Sequence, residues 1–153
     1  MSLKHPQVMM PPPALYLGGL LMGYGIDQAV ALPAIHFPGD HWLALVLAIV
    51  GVGLVGAAAI QMRRARTTLI PHRAASTLLC TGVFALSRNP IYLGFTSLYL
   101  AMALNQHSPG MLLMLLPVVW VIQAHVIAAE EAFHAEQFGE QWQAYQRRVR
   151  RWL

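Results

Sequence analysis

The feature that most constrains this chain is the apolar run from Leu43 to Met62. The run is 20 residues long and ends at the basic sequence Arg63-Arg64-Ala65-Arg66. About 20 apolar residues are needed for a helix to cross the hydrocarbon core of a bilayer. Trp42 precedes the run, and tryptophan and arginine are both typical of membrane interfaces. The sequence therefore predicts a membrane-spanning helix here.

Three further apolar segments have the length of helices. They run from Ala14 to about Leu32, from Pro90 to Leu104 and from Met111 to Ala129. Only 10% of the residues are charged, against about 25% in ordinary soluble domains. So few charges cannot cover a water-facing surface, and much of the apolar surface must face lipid. We predict an all-α integral membrane bundle of about four transmembrane helices.

The basic residues predict how the bundle is oriented. Lysine and arginine occur in the N-terminal arm, in residues 63–88 and at the C-terminus, whereas the loops 33–41 and 105–110 contain none. Because basic residues concentrate in cytoplasmic loops, four crossings with both termini in the cytoplasm satisfy this pattern. The net charge of +4 is placed at the ends of apolar runs, which favours lipid head groups over nucleic acid as a partner.

The C-terminal region predicts one more helix, outside the membrane. The fourth apolar helix should continue to Phe138 and stop at Gly139, because glycine commonly ends helices. Beyond it, one helical face carries four apolar residues, and four arginines surround that face. We predict an amphipathic interfacial helix on an anionic membrane surface. Its apolar residues are Trp142, Tyr145, Val149 and Trp152.

A helix start is predicted within Ser87-Arg88-Asn89-Pro90-Ile91-Tyr92-Leu93-Gly94. A residue before proline is disfavoured in the α region, and proline is tolerated at the first position of a helix. Two interpretations of Arg88 follow. It either anchors the chain at the membrane surface, or it joins the free N–H groups of the helix start in binding a polar or anionic group.

The predicted hairpin of the third and fourth helices brings Arg88 and Asn89 near Glu130 and Glu131, at the cytoplasmic end. Adjacent residues point about 100° apart on a helix. One glutamate can therefore pair with Arg88 while the other faces a cavity, although a purely structural ion pair is the alternative. His134 completes a Glu-x-x-His spacing that di-iron bundles use twice. Because it occurs once here, we predict no metal site.

Two separated segments resemble a known family. The first runs from Thr67 to Gly94, and the second contains Glu130-Glu131 and Phe138-Gly139 and continues to Arg151. Together they resemble the isoprenylcysteine carboxyl methyltransferase and phospholipid methyltransferase family of integral membrane enzymes. The resemblance implies S-adenosylmethionine as the cofactor. It also implies methyl transfer to a lipidic or apolar acceptor at the cytoplasmic membrane face.

The resemblance also implies which residues form the site. Glu131 and Arg88 would be the catalytic residues. Either glutamate can bind the cationic end of the cofactor or accept a proton, and Arg88 can hold the cofactor carboxylate or an anionic acceptor. The family's cofactor-binding positions correspond here to Ser76, Gly82, Arg88, Asn89, Pro90, Tyr92, Gly94, Glu130 and Glu131.

Four positions depart from the family's pattern, and at two of them, Phe84 and Trp142, tyrosine is usual. Eukaryotic members usually have histidine where Asn89 and Ser76 stand. The asparagine form resembles the bacterial-type branch, which implies a bacterial inner membrane. It leaves open whether the methyl acceptor is a carboxylate, an amine or a thiol.

We interpret residues 1–153 as a single domain. Residues 1–62 form two N-terminal helices, and residues 63–153 form the cofactor-binding part. The main alternative is a non-catalytic membrane scaffold whose glycine-rich first helix is its packing face. A transporter is a weaker alternative, because transporters place charges at the bilayer midplane and the acidic residues here lie at its boundary.

Overall fold

The computed structural model describes residues 11–65 and 77–153, and within these residues the regular structure is entirely helical. The all-α prediction is therefore confirmed. A short 3₁₀ helix lies at Gly82–Ala85, and a π-helical turn at Ile122–Ile127 joins two of the helices. The α-helices are α1 Pro12–Val30, α2 Asp40–Arg64, α3 Pro90–Asn105, α4 Pro109–Val121, α5 Ala128–Phe138 and α6 Glu140–Arg148.

Two helices in the described residues are long and apolar enough to cross a membrane. One is α2, with 25 residues, and the other is the continuous helix of 30 residues formed by α4, the π-helical turn and α5. Large apolar side chains on α2 are exposed, among them Leu45, Val46 and Ile49. A contiguous apolar surface of this kind is suited to lipid rather than water. By contrast, α1 and α3 have 19 and 16 residues and do not meet the same criterion.

Glycine lets the helices pack closely in two pairs. α1 packs along α4, where a Cβ on Gly23 would lie 2.5 Å from Cα of Met111 and a Cβ on Gly110 would lie 2.3 Å from the Gly23 carbonyl oxygen. α2 packs along α3 in the same way, with Gly51 against Gly94. Small residues permit such backbone contact. The sequence-based expectation of close packing at the glycines of the first helix thus holds for Gly23.

Polar contacts tie the helix ends to one another. The Ser108 hydroxyl and the Gly110 amide, at the start of α4, both donate to the carboxylate of Asp27 on α1, the amide at 2.8 Å. A carboxylate is favourable there because the N-terminus of a helix carries partial positive charge. In the interior, the Tyr99 hydroxyl donates to the Met111 carbonyl at 3.0 Å. These contacts fix α3 and α1 to the first turn of α4.

The C-terminal helix differs from the prediction. α6 ends at Arg148, so Val149 and Trp152 lie outside it. Trp142 and Tyr145 are only 3% and 2% exposed, because Leu78 and Cys80 pack against them. The predicted apolar interfacial face is therefore wrong. It is covered by the protein's own connecting segment, and only polar and basic side chains of α6 remain exposed.

The connecting segment between α2 and α3 is described from residue 77 onward. The Tyr145 hydroxyl donates to the Phe84 carbonyl at 2.6 Å, and burial raises the pKa of Tyr145, so this hydroxyl stays protonated. On the other side, Gln61 of α2 donates to the Thr81 carbonyl and accepts from the Val83 amide, each at 3.2 Å. Residues 77–89 of this connection therefore pack on the helices.

Candidate active site

The site begins at the residues that start α3. Asn89 has φ −129° and ψ 54°, outside the α region, and Pro90 is the first helical residue, as the sequence predicted. The Arg88 amide donates to the Arg150 carbonyl at 3.0 Å. The chain entering α3 is therefore held against the C-terminal segment.

Glu131 on α5 lies between two arginines. Its Oε1 is 3.0 Å from Nη2 of Arg88 and accepts from Nε of Arg151 at 3.2 Å, while its Oε2 accepts from Nη2 of Arg151 at 2.5 Å. The side chains of Arg88 and Glu131 are each 11% exposed, and that of Arg151 is 37% exposed. The cluster is thus a largely buried carboxylate clamped by two guanidinium groups. We call Arg88, Glu131 and Arg151 the ionic cluster.

Aromatic and amide groups complete the surroundings of Arg88. Its guanidinium carbon lies 5.8 Å from the centre of the Trp142 ring, within the range of a cation–π contact. When the Gln146 amide is oriented to satisfy its neighbours, its oxygen accepts from Nη1 of Arg88 at 3.3 Å and from Nε1 of Trp142 at 3.1 Å. Nε of Arg88 is buried and has no hydrogen-bond partner among the described residues.

Asn89 and Ser87 bind the C-terminal backbone. Nδ2 of Asn89 donates to the Arg151 carbonyl at 2.9 Å, and the Ser87 hydroxyl donates to the same oxygen at 3.2 Å. The Ser87 hydroxyl also accepts from the Asn89 amide at 3.1 Å. Both side chains are buried. The contacts of Asn89 therefore fix the segment that carries Arg151.

The second glutamate has a different partner. The Tyr92 hydroxyl donates to Oε1 of Glu130 at 2.7 Å. The Tyr92 carbonyl in turn accepts from the Tyr16 hydroxyl of α1 at 3.2 Å. The adjacent glutamates thus point to different neighbours, as the helical geometry predicted, and Glu131 is the one that pairs with Arg88.

His134 lies one turn further along α5, among aromatic rings. Its ring centre is 5.1 Å from that of Trp142 and 5.8 Å from that of Phe138. Its Nδ1 is buried and has no hydrogen-bond partner in the described part of the chain. Two buried nitrogens without a partner, Nε of Arg88 and Nδ1 of His134, therefore border the same Trp142 ring.

Some of the residues predicted to form the site are brought together and others are not. Arg88, Asn89, Pro90, Tyr92, Glu130 and Glu131 lie at one end of the bundle through the contacts above. Gly82 instead contacts Gln61 at a backbone φ of +58°, and Gly94 packs against α2. Ser76 lies outside the described residues. The cofactor-binding roles of all these residues remain predictions.

Sequence reasoning missed several members of this arrangement. Arg151 is the main one, although it stands at the end of the second family-like segment and that position was a usable signal. Trp142 was assigned to the apolar face of the predicted interfacial helix. Ser87 and Gln146 carry no signal of their own, because serine and glutamine occur at too many surfaces. Their contacts depend on where the C-terminal segment folds back.

An apolar groove extends along the bundle from Tyr16 to His41 and Asn105, at the end where α2 begins and α3 ends. Its volume is about 540 Å³, and its walls come from α1, α2 and α3. Representative lining residues are Tyr16, Leu45, Ala48, Phe95, Tyr99 and Met102. Tyr16 connects the groove to the polar residues, because its hydroxyl bonds the Tyr92 carbonyl. Apolar side chains thus form most of the lining of the groove.

Comparison with known proteins identifies the family. The family model described as phospholipid methyltransferase matches residues 40–141, more than half of the chain. The matched span includes Arg88, Glu130 and Glu131 and ends before Arg151. Neither the curated proteins nor the solved structures gave a match. The chain therefore belongs to the phospholipid methyltransferase family, a family of methyltransferases that act on lipid-like substrates.

Proposed function

We propose that this protein transfers a methyl group from S-adenosylmethionine to a lipidic or apolar acceptor at the cytoplasmic face of a membrane. Membership of the family supports methyl transfer as the reaction. The observation that carries the proposal is the buried ionic cluster next to the Tyr92–Glu130 pair. Buried charges at the end of an apolar bundle are costly, and perturbed, paired groups of this kind concentrate at functional sites.

The residues present suit the proposed cofactor. S-adenosylmethionine carries a carboxylate, an ammonium group and a sulfonium, and when bound it supplies an electrophilic methyl group. The unpartnered Nε of Arg88 is a donor suited to the carboxylate. Glu130 is suited to the acceptor, and the Trp142 ring packs beside Arg88. Arg88 would hold the cofactor, and Glu130 would face the acceptor.

The two glutamates then have different roles. Methyl transfer is a displacement in which charge disperses, so the protein contributes mainly by positioning the reactants. Glu131 is held by two arginines, and we assign it the role of a positioning residue that orients Arg88. Glu130 accepts a single described hydrogen bond, from Tyr92, which leaves it the better candidate to take a proton from an amine or thiol acceptor.

The apolar groove is the proposed binding site for the hydrocarbon part of the acceptor. Its walls include residues of α1 and α2, and we infer that a lipid enters sideways from the bilayer between these two helices. Tyr16 links its wall to Tyr92, and Tyr92 links to Glu130. A chain in the groove would therefore bring a polar head group towards the carboxylate. The chemistry of that head group stays open.

We also infer four membrane crossings, with both termini cytoplasmic and the bacterial inner membrane as the location. Two helices meet the criterion for crossing, and α1 and α3 pack along them. Arg63, Arg64 and the ionic cluster occupy one end of this bundle, as the positive-inside rule requires of the cytoplasmic end. Within this single domain, residues 1–62 supply two helices and residues 63–153 the cofactor-binding part.

The first experiment measures cofactor binding. Purified protein in nanodiscs is titrated with S-adenosylmethionine by calorimetry, for the wild type, Arg88→Met and the control Arg64→Met. Arg64 is exposed at the end of α2. We expect binding by the wild type and the control, and at least about a tenfold loss for Arg88→Met, since charge-assisted bonds contribute about 1.5–3 kcal/mol. A folded wild-type protein that binds no S-adenosylmethionine would refute the proposal and favour the scaffold alternative.

The second experiment separates the glutamates. Transfer of a labelled methyl group into a membrane lipid extract is measured for Glu130→Gln and Glu131→Gln. We expect Glu130→Gln to lower kcat while cofactor binding is retained, and Glu131→Gln to weaken cofactor binding. Equal loss of binding in both variants would contradict the division of roles.

A further inference from the structure

A cluster of titratable side chains lies at the opposite end of the bundle from the ionic cluster. His36 lies in the connection between α1 and α2, Asp40 is the first residue of α2, and His107 lies in the connection between α3 and α4. α3 separates this cluster from the start of the candidate active site, and its 16 residues correspond to roughly 24 Å. The cluster is therefore not part of the proposed methyl-transfer site.

The three side chains offer ligand atoms at metal-binding spacing. One nitrogen from each imidazole and one carboxylate oxygen all lie within 4.8 Å of one another. Oδ2 of Asp40 is 3.2 Å from Nδ1 of His107 and 4.0 Å from Nδ1 of His36. Ligand atoms around a tetrahedral ion with bonds of about 2.1 Å are separated by roughly 3.4 Å. The observed distances lie on either side of that value.

The carboxylate and one imidazole are already held in place by the protein. Oδ1 of Asp40 accepts from the His41 amide at 2.7 Å, which leaves Oδ2 directed to the two histidines. The Asp40 side chain is 12% exposed and that of His107 is 31% exposed. His107 has a positive φ of 50°, a conformation that few non-glycine residues adopt. Asp40 and His107 are therefore already in place, and coordination needs only a small adjustment of the exposed His36 side chain.

The two connections are also joined by backbone contacts. The Ile35 amide donates to the His107 carbonyl at 3.0 Å. Nδ1 of His107 also lies 3.2 Å from the Ile35 carbonyl oxygen, and an ion bound at Nδ1 would replace this contact. The rings of His36 and His107 are 4.0 Å apart between centres. These contacts hold the two connections together, so the residues that would bind an ion are already neighbours.

We propose that His36, Asp40 and His107 bind a divalent cation of the zinc class, which links the α1–α2 connection to the α3–α4 connection. Two imidazoles and one carboxylate select zinc-like ions, whereas magnesium and calcium prefer oxygen ligands. Three protein ligands leave a fourth position for water. The sequence-based prediction of no metal site considered the Glu130–His134 region. It could not consider this set, whose members come from separate parts of the chain.

The test uses zinc chloride and the untagged full-length protein in nanodiscs, pretreated with a chelator. Zinc binding is measured by competition with a chromophoric chelator for the wild type, His36→Ala, His107→Ala and the control His125→Ala. His125 is an exposed histidine on the π-helical turn. We expect one zinc ion per chain in the wild type and the control. Each of the two cluster variants should bind at least about tenfold more weakly, since even outer-shell changes cost 10–100-fold.

A thermal measurement supplies the second readout. Zinc at about a hundredfold excess over its Kd should raise the Tm of the wild type by roughly 5 °C or more, and should not raise that of His36→Ala. Because His36 is exposed, this variant folds even if His107→Ala does not. Wild-type protein that binds no zinc, or His36→Ala that binds zinc as the wild type does, would overturn the proposal. Methyl transfer is not part of either readout.

Discussion

Glu131→Gln should destabilise the protein strongly, because it removes the negative charge between two arginines. Arg88 is 11% exposed and would be left as a buried cation without its carboxylate. Breaking a buried ion pair by removing one partner costs about 3–5 kcal/mol. The Trp142 ring and the Gln146 amide still contact Arg88, which favours the lower end of that range. Arg151, at 37% exposure, adds less than about 1 kcal/mol because solvent screens it.

A loss of about 3 kcal/mol corresponds to a decrease in Tm of roughly 6–12 °C for a protein of this size. The measurement is thermal unfolding in nanodiscs, followed by far-ultraviolet circular dichroism. Glu136→Gln is the matched control, since Glu136 is an exposed carboxylate on the same helix, α5. We expect the Tm of the control to stay within about 1 °C of the wild type, as surface substitutions usually change stability by less than about 0.5 kcal/mol.

The double variant Arg88→Met/Glu131→Gln tests the reasoning itself. Replacing both partners of a buried ion pair by uncharged groups is often nearly neutral, because no charge is left unpaired. We therefore expect the double variant to be more stable than Glu131→Gln alone. A double variant whose loss equals the sum of the two single losses would show that the charges act independently. That result would refute the interpretation of the cluster as a coupled buried pair.

Three further predictions concern packing, a hydrogen bond and a thiol. Gly23→Leu should separate α1 from α4, because its Cβ would lie 2.5 Å from the Met111 backbone. The yield of folded protein should therefore fall. Gly18→Leu is the control and should leave the yield unchanged, because a Cβ there meets no neighbouring atom within 4 Å. Tyr145→Phe should lower the unfolding free energy by about 1 kcal/mol, through loss of its bond to the Phe84 carbonyl; an unchanged unfolding midpoint would contradict this. Burial raises the pKa of Cys80. At pH 8, iodoacetamide should therefore alkylate Cys80 more slowly than it alkylates free cysteine, and the rate of alkylation should keep rising above pH 9. Equal rates for Cys80 and free cysteine at pH 8 would argue against a buried thiol.

The parts of the structure that follow from local rules were predictable. The start of α3 follows from the geometry of Asn89 and Pro90, and the end of α5 follows from Gly139, which has a positive φ of 49°. The contact between Arg88 and Glu131 follows from one further step, because a helical hairpin puts the start of one helix beside the end of the next. Each of these inferences uses residues that are close in sequence or joined by a short turn.

The parts that depend on distant segments were not predictable. The apolar face of α6 was interpreted as lipid-facing because nothing in its own sequence shows that Leu78 and Cys80 cover it. Gly94 shows a related difficulty. A glycine can mark close approach to a ligand or to another helix, and here its contact is with Val55 and Gly51 of α2. Spacing within one segment cannot distinguish these cases.

Arg151 connects the fold of the C-terminus to the chemistry proposed for the site. Its carbonyl oxygen accepts from Asn89 and Ser87, while its guanidinium group binds Glu131. The backbone contact places the residue, and its side chain then binds the carboxylate that pairs with Arg88. Because these bonds join three separate segments, the ionic cluster can form only when the C-terminal segment has folded back over α3 and α5. Site assembly and final packing of the bundle are therefore expected to be one cooperative event. Asn89 contributes to it by binding the backbone carbonyl of Arg151.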